Sequence, residues 1–545
     1  MNKPLIAPIA LATALLASTS PALADTLVTN ANGVQVDAKG KLERFVGLVI
    51  GDDGKVVQLI RADDEKQPAR ITRRIDAGGK TLLPGLIDAH GHIMSLGFTA
   101  LELDLTGTTS LADLQSRLRT YATANPKTKW IVGRGWNQEL WPDQRFPTAT
   151  DLDAAVADRP VVLGRVDGHA SVANSAAMRA AGVTAKTRAP AGGRIENGLF
   201  VDAARDLVER AIPAPTRAVL EQALAKAQDI LLGYGITSTA IMGTPIEYWA
   251  TMRRSGDAGR LRMRIFNYAE GVVPLKTITR PTPWLYGGRL RMAGVKLYAD
   301  GALGSRGAWL KQPYSDQPDT RGLQFHSDAE LLKLADRAAA AGFQVATHAI
   351  GDAANAQVIT TYETLAKKYP GDRRWRIEHV QVVDPADIPR IARAGIIASM
   401  QPTHQTSDRL MAEKRVGTAR LAGAYAWQTF LQTGAHLAFG SDYPVESPNP
   451  FPGLAAAISR QDPSGEPPGG WRPQERVSFA TALSGFTRDA AYAEFAEKEI
   501  GSLDPGKYAD FILVDRDVST VSPGELGRTE VLETWVAGKR VWAKK

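Results

Sequence analysis

Short apolar runs alternate along this chain with segments whose apolar residues recur every three or four positions. The runs are Leu86–His92, Ile236–Met242, Met263–Ala269, Gly294–Asp300, Phe343–His348, Trp375–His379, Ile396–Pro402 and His436–Asp442. Their length and bounding turn residues predict strands, and the intervening spacing predicts helices. Ser327-Asp328-Ala329-Glu330 has the form of a capping box, in which a hydroxyl and a carboxylate satisfy free backbone donors at a helix start. Leu331, Leu334, Ala335 and Ala338 then share one face, and Gly342 supplies the stop. Asp384 to Gly395 repeats the scheme on a shorter scale. Eight strand–helix units in succession predict an α/β chain closed into a TIM (β/α)8 barrel. An open doubly wound sheet is the rival, but the glycine-rich phosphate turn it needs after the first run is missing.

Two regions fall outside that repeat. The stretch from about Ser95 to Leu232 is too long for one helix and contains a helical pattern (Leu111, Leu114, Leu118, Tyr121), two strand-like runs (Trp130–Gly133, Val161–Arg165) and a Trp/Pro-rich loop. It predicts an α+β subdomain inserted after the first barrel strand, and therefore at the barrel's catalytic face. The flanks, 25–81 and 500–545, carry short β runs at Phe45–Ile50, Val56–Ile60, Phe511–Val514 and Val531–Val541. They predict a composite β-sandwich built from both chain ends, with the barrel spanning 82–499. At the start, Lys3 precedes an apolar run from Leu5 to Ala17, which closes with Ala22-Leu23-Ala24 before Asp25. That is the layout of a secretory signal peptide over residues 1–24, and it predicts an exported chain, periplasmic or secreted, that begins near Asp25. A membrane anchor competes, but the run falls short of ~20 residues, Pro4, Pro8 and Pro21 interrupt or flank it, and no later window could span a bilayer.

Composition narrows the chemistry. Of 545 residues, 44% are hydrophobic and 23% charged, which fits a folded protein rather than a disordered one. There is no cysteine, so disulfides, thiolate metal sites, iron–sulfur clusters and a Cys nucleophile are all excluded. Any metal must be held by histidine, carboxylate or a lysine derivative. The net charge of +7 is spread without a basic run and predicts no nucleic-acid partner.

His90 and His92 close the first barrel run, and at a period of two both side chains leave one face. Alone, the pair could equally be two incidental polar residues at a barrel mouth. His348 ends the fifth run, His379 the sixth and Asp442 the eighth. A barrel gathers strand C-termini on one rim, so four of the eight histidines and an aspartate converge there. Lys296 lies within the fourth run, on the face of Tyr298 and Asp300. An ammonium beside a dication is repelled and costly to bury. It must pair with Asp300, lose its proton, or be carboxylated by CO2 to an anionic carbamate. His404 follows the seventh run and is a candidate for substrate contact. His169, in an Asp-Gly-His turn of the insertion, could reach over the barrel mouth or serve a local hydrogen bond. His326 reads as a surface or capping residue and His436, at the far end of its strand, as structural. Trp136, Trp141 and Trp309 could shape a pocket, although packing roles are commoner for aromatics.

These residues resemble the amidohydrolase superfamily of metal-dependent hydrolases. Leu83-Pro84-Gly85-Leu86-Ile87-Asp88-Ala89-His90-Gly91-His92 is similar to its opening strand motif, Gly440-Ser441-Asp442 to its last, and the stretch from Ser502 to Phe511 to its return into the sandwich. Val295–Gly301, Arg165–His169 and Met400–His404 resemble the large-insert branch that includes N-substituted formamide deformylases. The resemblance implies cleavage of an amide-like C–N bond in a small molecule. It assigns His90, His92 and Asp442 to the more buried ion, and His348 and His379 to a second, with carboxylated Lys296 bridging. A one-metal arrangement would use His90, His92, His348 and Asp442, with His379 steadying the oxyanion. The ion is divalent, Zn2+ first, at one or two per chain. It lowers the pKa of a bound water to roughly 7, and Asp442 shuttles the proton to the leaving nitrogen. Hydrolysis of an ester, lactone or peptide bond is the alternative, and a catalytically silent metal-binding or regulatory protein is another. Oligomeric state is open, a homo-oligomer included.

Overall fold

The computed structural model describes residues 25–62, 65–66, 71–190 and 192–545, so the expected signal peptide lies outside the described residues. All eight expected barrel runs are strands: β1 (Leu86–Gly91), β2 (Ile236–Thr244), β3 (Arg264–Glu270), β4 (Leu290–Tyr298), β5 (Gln344–Ala349), β6 (Arg376–His379), β7 (Ile397–Met400) and β8 (His436–Phe439). They lie in chain order in one parallel sheet. The ends of that sheet meet just past the strands, where Gly91 bridges Tyr443. There the His92 N–H donates to the Tyr443 carbonyl at 2.9 Å and the Asp442 N–H to the His90 carbonyl at 2.8 Å. Glycine is required at this seam, because a Cβ on Gly91 would stand 2.2 Å from the Tyr443 ring. Asp88 staples it from below, accepting from the Ser441 hydroxyl at 2.6 Å and from the His90 N–H at 3.0 Å.

Helices cover the barrel. The helix Asp328–Ala340 starts on the expected capping box, with the Glu330 carboxylate accepting from the Ser327 N–H at 2.9 Å, and buries Leu331, Ala335 and Ala338. Among the described residues, no helix is long and apolar enough to cross a membrane.

Between β1 and β2 the insertion forms a six-stranded sheet in the spatial order Gly193–Glu196, Leu199–Asp202, Ala170–Ala173, Val161–Arg165, Ile131–Trp136, Leu103–Asp104. The helix Leu111–Ala124 covers it, and Leu114, Leu118, Trp136, Trp141 and Leu163 give it a separate core. The two Trp residues therefore pack rather than line a pocket wall.

Both chain ends build the sandwich. One sheet orders as Val56–Ile60, Gly47–Ile50, Asp25–Thr29, Ile71–Asp76; the other as Lys539–Ala543, Val531–Val536, Phe511–Val514, Thr81–Pro84, Asn32–Val36, Leu42–Phe45. Two expectations need correction. Phe45–Ile50 is not one strand, because the chain passes from one sheet to the other at Val46. Val531–Val541 is a hairpin turned at Ala537 and Gly538, whose φ values are 50° and 68°. At Val46 apolar residues continue through the break and hide it, whereas Gly538-Lys539-Arg540 interrupts the second run at its turn.

Arg264, the first residue of β3, clamps this sandwich to the barrel base. Its guanidinium donates to both Asp510 oxygens at 2.7 and 2.9 Å, with both side chains nearly fully buried, and lies over the Tyr508 ring. Asp510→Asn leaves that buried cation without a counter-charge, so unfolding stability should fall by about 3–5 kcal/mol. A urea midpoint unchanged from wild type would contradict the clamp.

Candidate metal centre

The expected ligands meet at the C-terminal mouth of the barrel. His90 Nε2 and His92 Nε2 lie 3.3 and 3.1 Å from Asp442 Oδ1. The His379 ring stands 4.7 Å from that of His90 and 4.6 Å from that of His348, centroid to centroid. His90, His379 and Asp442 each offer a donor atom, all within 4.8 Å of one another. This triple crosses the expected division of ligands, in which His379 belonged with His348 rather than with His90.

The backbone at these strand ends is unusual. His379, Val380 and Asp442 have φ values of 77°, 49° and 59°, the left-handed region that side chains with a Cβ rarely occupy. In this conformation the chain leaves the strand sharply, and the fold holds the local strain at the residues that face the centre.

Among the described residues, His90 Nε2 and Asp442 Oδ1 are buried and neither makes a well-formed hydrogen bond, although they face each other at 3.3 Å. Orphaned buried donors and acceptors are rare and costly unless something else satisfies them. Here the donor set, imidazole nitrogen and carboxylate oxygen, suits a divalent cation. Burial, reinforced by the neighbouring Lys296 charge, holds His348 well below the ordinary imidazole pKa, and burial with the His348 and His90 charges does the same for His379. Both are therefore neutral, the form that ligates metal. Asp442 moves the other way. Burial opposes its charge, but His90 and His92 outweigh it and hold the carboxyl well below its usual range.

Lys296 is buried at this centre. Burial draws its pKa down to about 8 against the opposing charges of Glu378 and Asp442. The pairing with Asp300 is not formed. Asp300 instead accepts the backbone N–H groups of Trp309, Ile350 and Gly351 at 2.8, 3.0 and 2.8 Å. Among the described residues, no carboxylate oxygen lies within 4.0 Å of the Lys296 nitrogen.

Two residues of the centre went unread in the sequence. Glu378 Oε2 lies 2.7 Å from His90 Nδ1, and Arg376 donates to both Glu378 oxygens at 2.8 and 3.1 Å. All three side chains are fully buried. The Arg376 and His90 contacts overcome burial and keep Glu378 ionised. A carboxylate on Nδ1 leaves Nε2 as the free ligand atom and fixes the ring. The signal was available, since alternation in Trp375-Arg376-Ile377-Glu378-His379 puts Arg376 and Glu378 on one inward face. Glu378→Gln should lower metal affinity or turnover about 10–100-fold with the fold intact. Metal titration giving a wild-type affinity would contradict this orienting role.

Above the centre lies a cavity of about 2030 Å³, walled by the barrel mouth and the insertion. His404 lines it. Its Nδ1 stands 3.1 Å from Gln381 Nε2, and its Nε2, buried without a hydrogen bond, lies 3.7 Å from Asp442 Oδ2. His169 lines it from the insertion, with Nδ1 2.8 Å from Asp202. Burial disfavours its charged form, but Asp202 and Asp167 prevail and raise its pKa. The other two histidines lie elsewhere. His436 is exposed and stacks on Tyr492, and His326 precedes the helix capped by Ser327.

The chain resembles known proteins over nearly its whole length. It matches the model of the amidohydrolase family over residues 73–542. It is 33% identical over 508 residues to Protein LONG AFTER FAR-RED 3 of Arabidopsis thaliana, covering 86% of this chain and 84% of that one. It is 27% identical over 545 residues to the N-substituted formamide deformylase of Arthrobacter pascens, covering 94% and 97% respectively. Among solved structures, an uncharacterized metal-dependent hydrolase from Pyrococcus horikoshii superposes with a TM-score of 0.77 at 28% identity, covering 92% of this chain and 99% of that one. With a mouth of buried imidazoles and carboxylates on a (β/α)8 barrel, and a family match spanning barrel and sandwich alike, the chain belongs to the amidohydrolase family of metal-dependent hydrolases.

Proposed function

We propose that this chain is an exported hydrolase that cleaves a C–N bond of a non-peptide amide. The observation that carries the reading is the buried cluster of His90, His379 and Asp442, in which, among the described residues, His90 Nε2 and Asp442 Oδ1 face each other at 3.3 Å without a well-formed hydrogen bond. In this reading His90, His92 and Asp442 would hold one divalent ion and His348 and His379 a second, with Lys296, as a carbamate, supplying a shared anionic ligand. Zn2+ suits donors of this kind in the absence of sulfur. A bound divalent ion would supply Lewis-acid polarisation of the amide carbonyl and lower the pKa of a water molecule to roughly 7.

The chain's own residues do the rest. Asp442, ionised and part of the cluster, accepts a proton from the attacking water and returns it to the leaving nitrogen. His404 turns its free Nε2 toward Asp442 from the cavity wall and is placed to contact the substrate. His169, held through Asp202, contacts it from the insertion side. The amide preference is supported by the likeness to the N-substituted formamide deformylase.

The test is a panel of N-acyl, N-formyl and cyclic amides with matched esters, offered to the Zn2+-loaded mature protein. Amide turnover that exceeds ester turnover, after correction for intrinsic reactivity, is expected. Ester turnover alone would overturn the C–N assignment. Export is tested separately. N-terminal sequencing of the processed chain should begin at or near Asp25, the first residue of the first strand of the sandwich. A cytoplasmic chain retaining Met1 would contradict it.

A further inference from the structure

The cavity wall carries six arginines, and one differs from the rest. Arg165, Arg194, Arg205, Arg306 and Arg415 each form an ion pair, with Asp167, Glu196, Glu209, Asp316 and Asp316 respectively. Arg134 does not. Among the described residues, no carboxylate oxygen lies within 4.0 Å of its guanidinium. Its Nη2 donates to the Val166 carbonyl at 2.8 Å, and its Nε is buried without a hydrogen bond.

Arg134 is nevertheless held in place. It projects from the insertion strand Ile131–Trp136 and is fastened to the turn that carries His169. Gly168, at a φ of +73°, forms this turn beside Arg134, whose Nη2 lies 3.4 Å from where a Cβ would stand. Burial weakens the charged form of Arg134, and the negative charges that chiefly counter this are Asp442 and Asp167. Asp167 is already engaged by Arg165. Two of the cavity's acids without an ion pair behave differently. Asp408 and Glu446 accept from the hydroxyls of Tyr425 and Ser407, and burial shifts both toward the neutral acid.

A rigid, desolvated guanidinium with free N–H groups matches the planar, bidentate geometry of a carboxylate. A phosphate dianion would leave charge uncompensated on a single arginine. We propose that Arg134 is a specificity residue that receives a carboxylate of the substrate, so that the amide cleaved carries a free acid group, as an N-acyl amino acid does. This rests on the hydrolase reading above for the word substrate, but the anion site itself does not depend on turnover.

The experiment therefore measures binding first. 3-Benzoylpropionate, which has CH2 in place of the amide nitrogen and cannot be hydrolysed at a C–N bond, is titrated calorimetrically into the Zn2+-loaded full chain beside its methyl ester. The acid should bind at least about tenfold more tightly than the ester, a difference of 1.4 kcal/mol. Arg134→Gln should bring the ratio to near one, and Arg134→Lys, which keeps the charge but loses the fork, should fall between. With N-benzoylglycine as substrate, Arg134→Gln should raise KM about tenfold while kcat stays within about threefold, as expected when uniform binding is lost. Equal binding of acid and ester, no detectable binding of the acid, or a preference untouched in both variants would each overturn the proposal. Acid-selective binding lost in Arg134→Gln, with no amide hydrolysed, would instead leave the anion site standing and count against the hydrolase reading.

Discussion

Asp442→Asn should lose about 10³-fold or more in kcat/KM while its unfolding transition stays close to wild type. The amide is nearly isosteric with the carboxylate but cannot accept the proton of the attacking water. It also carries no charge to balance a cation between His90 and His379. Metal content should therefore fall together with turnover. His90→Ala should behave alike for a different reason. It removes the ligand nitrogen and leaves the fully buried Glu378 carboxylate without its imidazole partner. His436→Ala is the control, because that residue lies at the other end of β8, exposed and stacked on Tyr492. Its turnover should match wild type. Near-normal kcat in Asp442→Asn, measured with metal content unchanged, would remove this residue from the mechanism.

Lys296→Ala should cost both ions and activity. The amine is buried at the barrel mouth with no carboxylate oxygen of the described residues within 4.0 Å, and burial draws its pKa to about 8. About a tenth of the amine is therefore neutral at pH 7, more than for an ordinary lysine, and neutral amine is the form that attacks CO2. The new N–C bond forms with loss of one proton and gives an anionic carbamate. That product relieves the repulsion an ammonium would meet beside two cations. Two ions per chain at about 3.5–4 Å separation are expected in the wild type. In Lys296→Ala, metal analysis should show their loss, and short carboxylic acids should restore part of both metal and turnover by filling the vacated space. One ion per fully active wild-type chain, or acids without effect in a variant that keeps its metal, would decide for a plain amine.

The barrel was legible because its signal is repeated. Each of the eight runs ends near a turn, and the spacing that brings His348, His379 and Asp442 to strand ends is itself the strand–helix period. The composite sandwich was legible in outline only. At Val46 the chain turns without losing its apolar pattern, so hydropathy carries no mark of that break, whereas Gly538-Lys539-Arg540 does mark the hairpin turn. In the centre, the ligands at strand ends were found because attention to a barrel rim selects them. Glu378 and Arg376 alternate visibly in the sequence, but an inward glutamate and arginine gain meaning only with His90 across the barrel. The left-handed backbone at His379 and Asp442 had no sequence signal, because closure of β8 on β1 and the packing of β6 impose it. The same holds for Arg134. An arginine in an insertion is unremarkable until its five neighbours on the cavity wall are found paired and it is not.

The central claim is that this mouth of histidines and aspartate works only with metal bound. It is tested most directly by stripping the protein with a chelator and following amide turnover as Zn2+ is returned in measured equivalents. The account predicts no turnover in the stripped chain, recovery that reaches its plateau at two equivalents, and no recovery in His90→Ala. Undiminished amide turnover in the metal-free chain would contradict it.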